Sequence, residues 1–361
     1  MKTNKLAYAI AAGVLLDASA QAQVTINISG AVAFRDTSYR AIRSIYGANL
    51  TSQNPADGPG TPNQLKVTWT GTIPSIYGGQ TVTVKAFYNG ANAGIQDLVQ
   101  NRNVNYLALA TPGDTNTVNE LSDIAYSSVF QNSTAFTTPA LTSTEFGVTP
   151  VFFVKSTSAP AGLVNITRNQ FRVLAKNGSV PGWFLTGNPA DTADIYYISR
   201  DPSAGQRTIV EKENAFTGAI QSYLWNTNTS SFEFDPTGRT STQIRDTLNI
   251  SGPAVSYLTG VDAINVNGGT NILAHNGYKA FTGQYSTNSP ATTTHTPVIN
   301  GQYTQWGYEH IFTRQTASPN VVAFRTNLIA KILVDLSTSA FSLPKTAVNV
   351  GRLGQSGEVS P

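Results

Sequence analysis

The strongest constraint on this chain is a set of short apolar runs that recur along it. Val148 to Val154 is one, Asp194 to Ser199 is a second and Ala254 to Leu258 is a third. Such runs are too short for helices and lack polar alternation, which marks strands covered on both faces. Helix-like stretches lie between and after them, at Thr167 to Leu174 (capped by Asn165 or Thr167), Thr208 to Phe216 and Val321 to Leu336. Strands alternating with helices predict an α/β fold with parallel sheets.

The first third of the chain reads the same way. Residues 24–29 alternate as a strand, Gly30 follows, and Ala33 to Ile45 is helix-like. Residues 50–64 are rich in Pro, Gly, Asn and Ser and read as a loop. Gln64 to Ile73 and Thr81 to Phe87 read as strands with Gly78-Gly79 turning between them, and Ala93 to Gln100 as a helix. Ser122 to Ser128 is a short strand, 131–146 a Thr/Ser-rich loop, and 284–300 a polar, Pro-containing connection.

Composition narrows the function. With 361 residues, 40% hydrophobic and 12% charged, the chain is globular and long enough to split into two lobes. A net charge of +3 without a Lys/Arg cluster excludes a nucleic-acid footprint. The absence of Cys excludes disulfides, thiolate metal sites, a cysteine nucleophile and a lipidated Cys. Lys2 and Lys5, the apolar run Leu6 to Leu16 and Ala20-Gln21-Ala22 make a secretory signal peptide over 1–22, cleaved after Ala22. The expected location is therefore periplasmic or secreted. No later segment reaches the roughly 18 apolar residues of a membrane span.

Several segments, in order, resemble the phosphate-binding proteins of bacterial ABC uptake systems, which are type II periplasmic binding proteins. Ile28 to Phe34 is similar to that family's first strand and hydroxyl-rich turn. Val84 to Ile95 is similar to its second strand, turn and helix start. Ser122 to Ser128 resembles its D-I-A-x-S strand, and Pro150 to Val154 its crossing strand. Asn165 to Trp183 follows the family's order of short helix, Gly and Trp. The most specific segment, Ser199 to Thr208, resembles the R-x-x-x-S-G-T-R turn before a helix. Val255 to Leu258 and Ile299 to Tyr303 resemble the I-G-Y strand and the late G-x-Y segment. The resemblance implies an α/β, two-lobed fold with a mixed or parallel sheet and flanking helices in each lobe, joined by two crossing strands. The expected lobes are 23–152 plus 262–361, and 153–261.

It also implies a small anion, phosphate or similar, clamped between the lobes, no cofactor, an ABC permease as partner and a monomeric protein. The positions that match the family's binding turns are Ser29, Gly30, Ala31, Ala91, Asn92, Ser127, Ser128, Arg200, Ser203, Ala204, Gly205 and Gln206. Such a site uses helix N-termini, hydroxyls and an Arg as donors. Here the donors thin out. Ala31 and Val32, Ala91 and Asn92, and Ala204 and Gln206 stand where hydroxyls are expected, and Ser128 stands for the family's acceptor Asp. Each lost neutral hydrogen bond costs about 0.5–1.5 kcal/mol. Three or four would weaken phosphate binding on the order of a thousandfold. Two alternatives follow: a degenerate secreted or cell-surface scaffold on the same fold, or a receptor for a larger, non-phosphate ligand fitting beside the small Ala residues. Arg200 also has a plain reading as a partner of Asp201. Tyr39 and Tyr126 are candidates for stacking on a sugar or base, whereas Trp183 reads as packing. The three His (His275, His295, His310) form no metal-ligand spacing, and no G-x-S-x-G elbow or P-loop occurs, so catalysis is not expected.

Overall fold

A computed structural model describes residues 23–58, 64–285, 287–354 and 359–360. The signal peptide expected over 1–22 lies outside the described residues. Eleven strands form one mixed sheet: β1 (Val24–Gly30), β2 (Leu50–Asn54), β3 (Lys66–Thr72), β4 (Thr81–Phe87), β5 (Ile124–Ser127), β6 (Thr142–Lys155), β7 (Ser179–Pro181), β8 (Asp194–Tyr197), β9 (Ala254–Thr259), β10 (Trp306–Thr313) and β11 (Leu343–Pro344). Their order is β7-β8-β9-β6-β10-β5-β1-β4-β3-β2, with β11 alongside β6. Only β1 with β4 and β5, and β8 with β9, run parallel, so the sheet is mixed rather than parallel throughout.

The 14-residue β6 joins the two halves of this sheet. From Thr142 to Pro150 it pairs with β10, and from Val151 to Lys155 with β9. Strand alternation explains its apolar run. Val151 and Phe153 enter one core with Tyr197, Val255 and Tyr257, while Phe152 and Val154 enter another with Ile198, Leu248 and Leu258. Residues between Ala263 and Tyr303 pack into that second core, and the chain returns to the first half at Trp306.

Helices cover the sheet: α1 (Arg35–Tyr46), α2 (Ala91–Val99), α3 (Arg168–Asn177), α4 (Gly205–Glu213), α5 (Ser241–Ile250) and α6 (Pro319–Leu336). Tyr39, Ile42 and Tyr46 of α1 meet Phe324, Leu328 and Ile332 of α6 over β1 and β4. The expected cap of α3 is Thr167, in a capping box with Gln170, and Gly178 ends the helix in the left-handed conformation.

Some expectations are corrected. Residues 50–54 are the edge strand β2 rather than loop, and its polar Leu-Thr-Ser-Gln-Asn sequence carries no apolar alternation. The loop expected over 131–146 ends early, because β6 begins at Thr142 with an exposed, hydroxyl-rich end. The helix expected from Thr208 starts at Gly205, and the 284–300 connection contains short helices at Ala291–Thr294 and Thr296–Ile299. A short helix, Pro74–Tyr77, precedes Gly78. Strand β10, helix α5 and the hairpins Asn103–Leu107 with Thr117–Leu121 and Tyr223–Asn226 with Ser231–Phe234 had no counterpart in the sequence reading.

Candidate functional site

Four strand-to-helix turns converge where the halves of the sheet meet. The first follows β1. Gly30 donates its N–H to Asn89 Oδ1 at 2.9 Å, Ala31 donates to Tyr126 O at 2.9 Å, and α1 follows with Arg35 in its first turn. The second follows β4, where Gly90 donates to Gly30 O at 2.8 Å and α2 begins at Ala91. The third runs from Arg200 into α4, and the fourth is Thr240, which caps α5 in a capping box with Gln243. The first-turn N–H groups of these helices lack intrahelical acceptors, and the helix dipoles add positive potential there.

The turns enclose a cavity of about 400 Å³. Two guanidinium groups reach it. Arg200 is 2% exposed; its Nε donates to Arg239 O at 3.1 Å, its Nη2 lies 3.7 Å from Asp201 Oδ2, and its Nη1 is buried with no hydrogen-bond partner among the described residues. Burial pulls the Arg200 pKa below the usual arginine range, and Asp201 partly offsets this. Arg35, also buried, has among the described residues only a 3.7 Å ion pair with Asp262, which in turn lies 3.4 Å from Arg245. The hydroxyl of Ser241 at the same cavity is buried and unpartnered. Unmet buried donors are costly unless something accepts from them. The arrangement presents two guanidinium groups and a hydroxyl to one cavity.

The structure brings Ala31, Ala91, Ser128, Arg200, Ser203, Ala204, Gly205 and Gln206 together around the cavity. The other four expected positions stand behind it or beside it. Ser29 is buried within β1, and the Gly30 N–H is consumed by Asn89. Ser127 accepts from the Val129 N–H at 3.2 Å. Asn92 instead ties the two sides together, its N–H donating to Ser203 O at 3.0 Å and its Nδ2 to Pro202 O at 3.0 Å and Thr208 Oγ1 at 3.1 Å. Ser203 is not a free donor, because its hydroxyl and its N–H (3.0 Å) both bond Asp201 Oδ1.

Small residues allow this close approach. Gly90 has a φ of 119°, and a Cβ there would sit 2.7 Å from Ser203 Oγ; one on Gly205 would collide with Ser128 Oγ and lie 2.7 Å from Ala91 Cβ. The aromatic candidates do not line the cavity. Tyr126 stacks on Phe34 at 5.3 Å and pairs with the Ser38 hydroxyl, while Tyr39 donates to Asp57. Trp183 is 49% exposed and meets Phe184 edge-on.

The sequence reading missed Arg35 and the Thr240–Thr242 turn. The turn carries a signal, since Thr240 and Gln243 have capping-box spacing before Ile244 and Leu248. Arg35 carries none by itself, although a cation in the first turn of a helix opposes the dipole. Among the described residues no group of three His, Asp or Glu could hold a metal ion, and no helix is long and apolar enough to cross a membrane.

No family model and no curated protein sequence matches the chain. Solved structures do. An ABC-type phosphate transport receptor from Vibrio cholerae aligns over 87% of this chain and 99% of its own, at 14% identity and a TM-score of 0.50. A putative phosphate ABC transporter substrate-binding protein from Clostridium perfringens, with bound phosphate, aligns over 87% and 98%, at 12% identity and a TM-score of 0.53. At these identities the likeness establishes the fold. The chain has the two-lobed architecture of these binding proteins.

Proposed function

We propose that this chain is an exported, non-catalytic solute-binding protein that takes an oxyanion between its lobes. The observation that carries the reading is the Arg200 guanidinium, buried at an inter-lobe cavity with one nitrogen unpartnered, beside Arg35 and the unpartnered Ser241 hydroxyl. The N-termini of α2, α4 and α5 would add backbone donors. The role in transport of the structural neighbours supports delivery to an ABC permease, and we propose that the protein acts as a monomer whose lobes close on the ligand. The lobes are proposed to divide where β6 changes partner. This is close to the expected boundary at 152, whereas residues up to Tyr303 are proposed to move with the second lobe because they pack on Phe152 and Leu258.

Calorimetric titration with inorganic phosphate and with sulfate tests the reading. One-to-one binding is expected, weakened about a hundredfold in Arg200→Ala, because a charge-assisted hydrogen bond is worth about 1.5–3 kcal/mol. Equal affinity in Arg200→Ala would place the anion elsewhere. One observation favours a second reading, a secreted scaffold that has lost transport: Asn92 already bridges the lobes directly. A radius of gyration that does not change on adding ligand would support it.

A further inference from the structure

The anion-binding reading leaves most of the cavity unused. At about 30 Å³ per water, 400 Å³ is room for roughly a dozen waters, and a free phosphate or sulfate displaces roughly two or three. The remaining wall is mixed, with Val32, Leu65 and Phe87 as its larger apolar side chains beside Asn89, Gln206, Thr240 and Thr242. Leu65 is 44% exposed, and Lys66 Nζ lies 4.7 Å from the Phe87 ring centre. A free anion would leave this wall against trapped water, whereas an apolar group would bury it. The polar side has its own bias. Asp201 is the one carboxylate lining the cavity among the described residues, and its Oδ1 is taken by the hydroxyl and N–H of Ser203. A protonated oxyanion therefore meets several donors and a single carboxylate oxygen, Asp201 Oδ2, which lies 3.7 Å from Arg200 Nη2.

We propose that the ligand is an organic oxyanion, a phosphoryl or sulfonyl head carrying an apolar aliphatic or single-ring body. The head sits on Arg200, Arg35 and Ser241, and the body lies against Val32, Leu65 and Phe87. The proposal rests on the anion reading above and adds the body. The lost family hydroxyls fit it, since Ala31, Ala91 and Ala204 widen the cavity where free phosphate would need donors.

The test compares inorganic phosphate, phenylphosphonate and hexyl phosphate by calorimetry on the wild-type protein, Leu65→Ser, Phe87→Ala and Arg200→Ala. The organic anions are expected to bind at least tenfold more tightly than phosphate. Leu65→Ser, at an exposed position that folding tolerates, shrinks that advantage severalfold while leaving phosphate affinity in place, and Phe87→Ala shrinks it further. Arg200→Ala weakens all three. Phosphate binding as tightly as the organic anions, with loss in Arg200→Ala, overturns the organic-ligand proposal and leaves the anion site standing. Binding of none of the three, or binding indifferent to Arg200, overturns both.

Discussion

Acidification from pH 7 to 5 is expected to cost the protein a substantial part of its stability. His275, His295 and His310 are all buried, and burial is the main force pulling their pKa values to about 4, about 4 and about 3. Arg168 adds to the effect at His275 and Lys345 at His310. None has a carboxylate hydrogen-bond partner among the described residues. His275 Nε2 pairs with Asn214 Oδ1 at 3.0 Å, His295 Nδ1 with Thr294 Oγ1 at 2.9 Å, and His310 Nδ1 with Ser143 Oγ at 3.0 Å between the rings of Phe130 and Phe312. These groups stay neutral in the folded chain, while the unfolded chain takes up protons below about pH 6.5. Folded pKa values below unfolded ones mean that stability is complete above about 6.5 and is lost as the pH falls towards the folded values. Each group costs about 1.4 kcal/mol per pH unit, so three approach about 4 kcal/mol per unit. Against a total of about 5–15 kcal/mol this loss is large, although Glu309 titrates in the opposite sense and offsets part of it. Urea unfolding at pH 7.5, 6.5, 5.5 and 5 measures this. His310→Phe, which keeps the ring contacts, removes about one proton from the slope. A flat profile over this range would contradict the neutral, buried state of the three rings.

Glu309→Gln is expected to make the protein more stable than the wild type at pH 8 and to change little near pH 4. Glu309 lies in β10 opposite Gly147, fully buried, and its Oε1 has no hydrogen-bond partner. Burial raises its pKa far above the usual carboxylate range. The unfolded chain releases this proton above about pH 4.3 and the folded chain does not, so stability falls as the pH rises above that value, by about 1.4 kcal/mol per unit until the folded pKa is reached. The glutamine cannot ionise and loses this slope. Thermal midpoints of both proteins from pH 4 to 8 should coincide at the acid end and diverge steadily. Parallel curves would mean that Glu309 is charged and solvated in the native state. The histidines lower stability towards acid and this group lowers it towards alkali, so the two act in opposite directions.

The fold was legible because its central strands are covered on both faces. Phe152 and Val154 face one core, Val151 and Phe153 the other, and such a run reads as a strand without further help. The edge strand β2 and the start of β6 were hidden, since exposed strand ends of Thr, Ser and Gln look like loops. Strand β10 was hidden by Glu309 and His310, polar residues buried in the sheet. At the site, Arg200 was legible from the turn that precedes α4. Arg35 was not, because only the folded chain shows it buried at the cavity wall. Asn92 shows the opposite limit. Its position beside the second turn suggested ligand contact, and its actual bonds run across to Pro202 and Thr208. Sequence order places a residue at a turn, and the approach of the facing lobe decides what it touches.

The most direct test of the anion site is anomalous diffraction from crystals soaked in selenate, measured at the selenium edge. A single strong peak is expected in the inter-lobe cavity, about 4 Å from the Arg200 guanidinium and the Ser241 hydroxyl as hydrogen bonds through selenate oxygens require, and absent from Arg200→Ala crystals. Peaks confined to the outer surface, or a cavity peak that survives in Arg200→Ala, would contradict it.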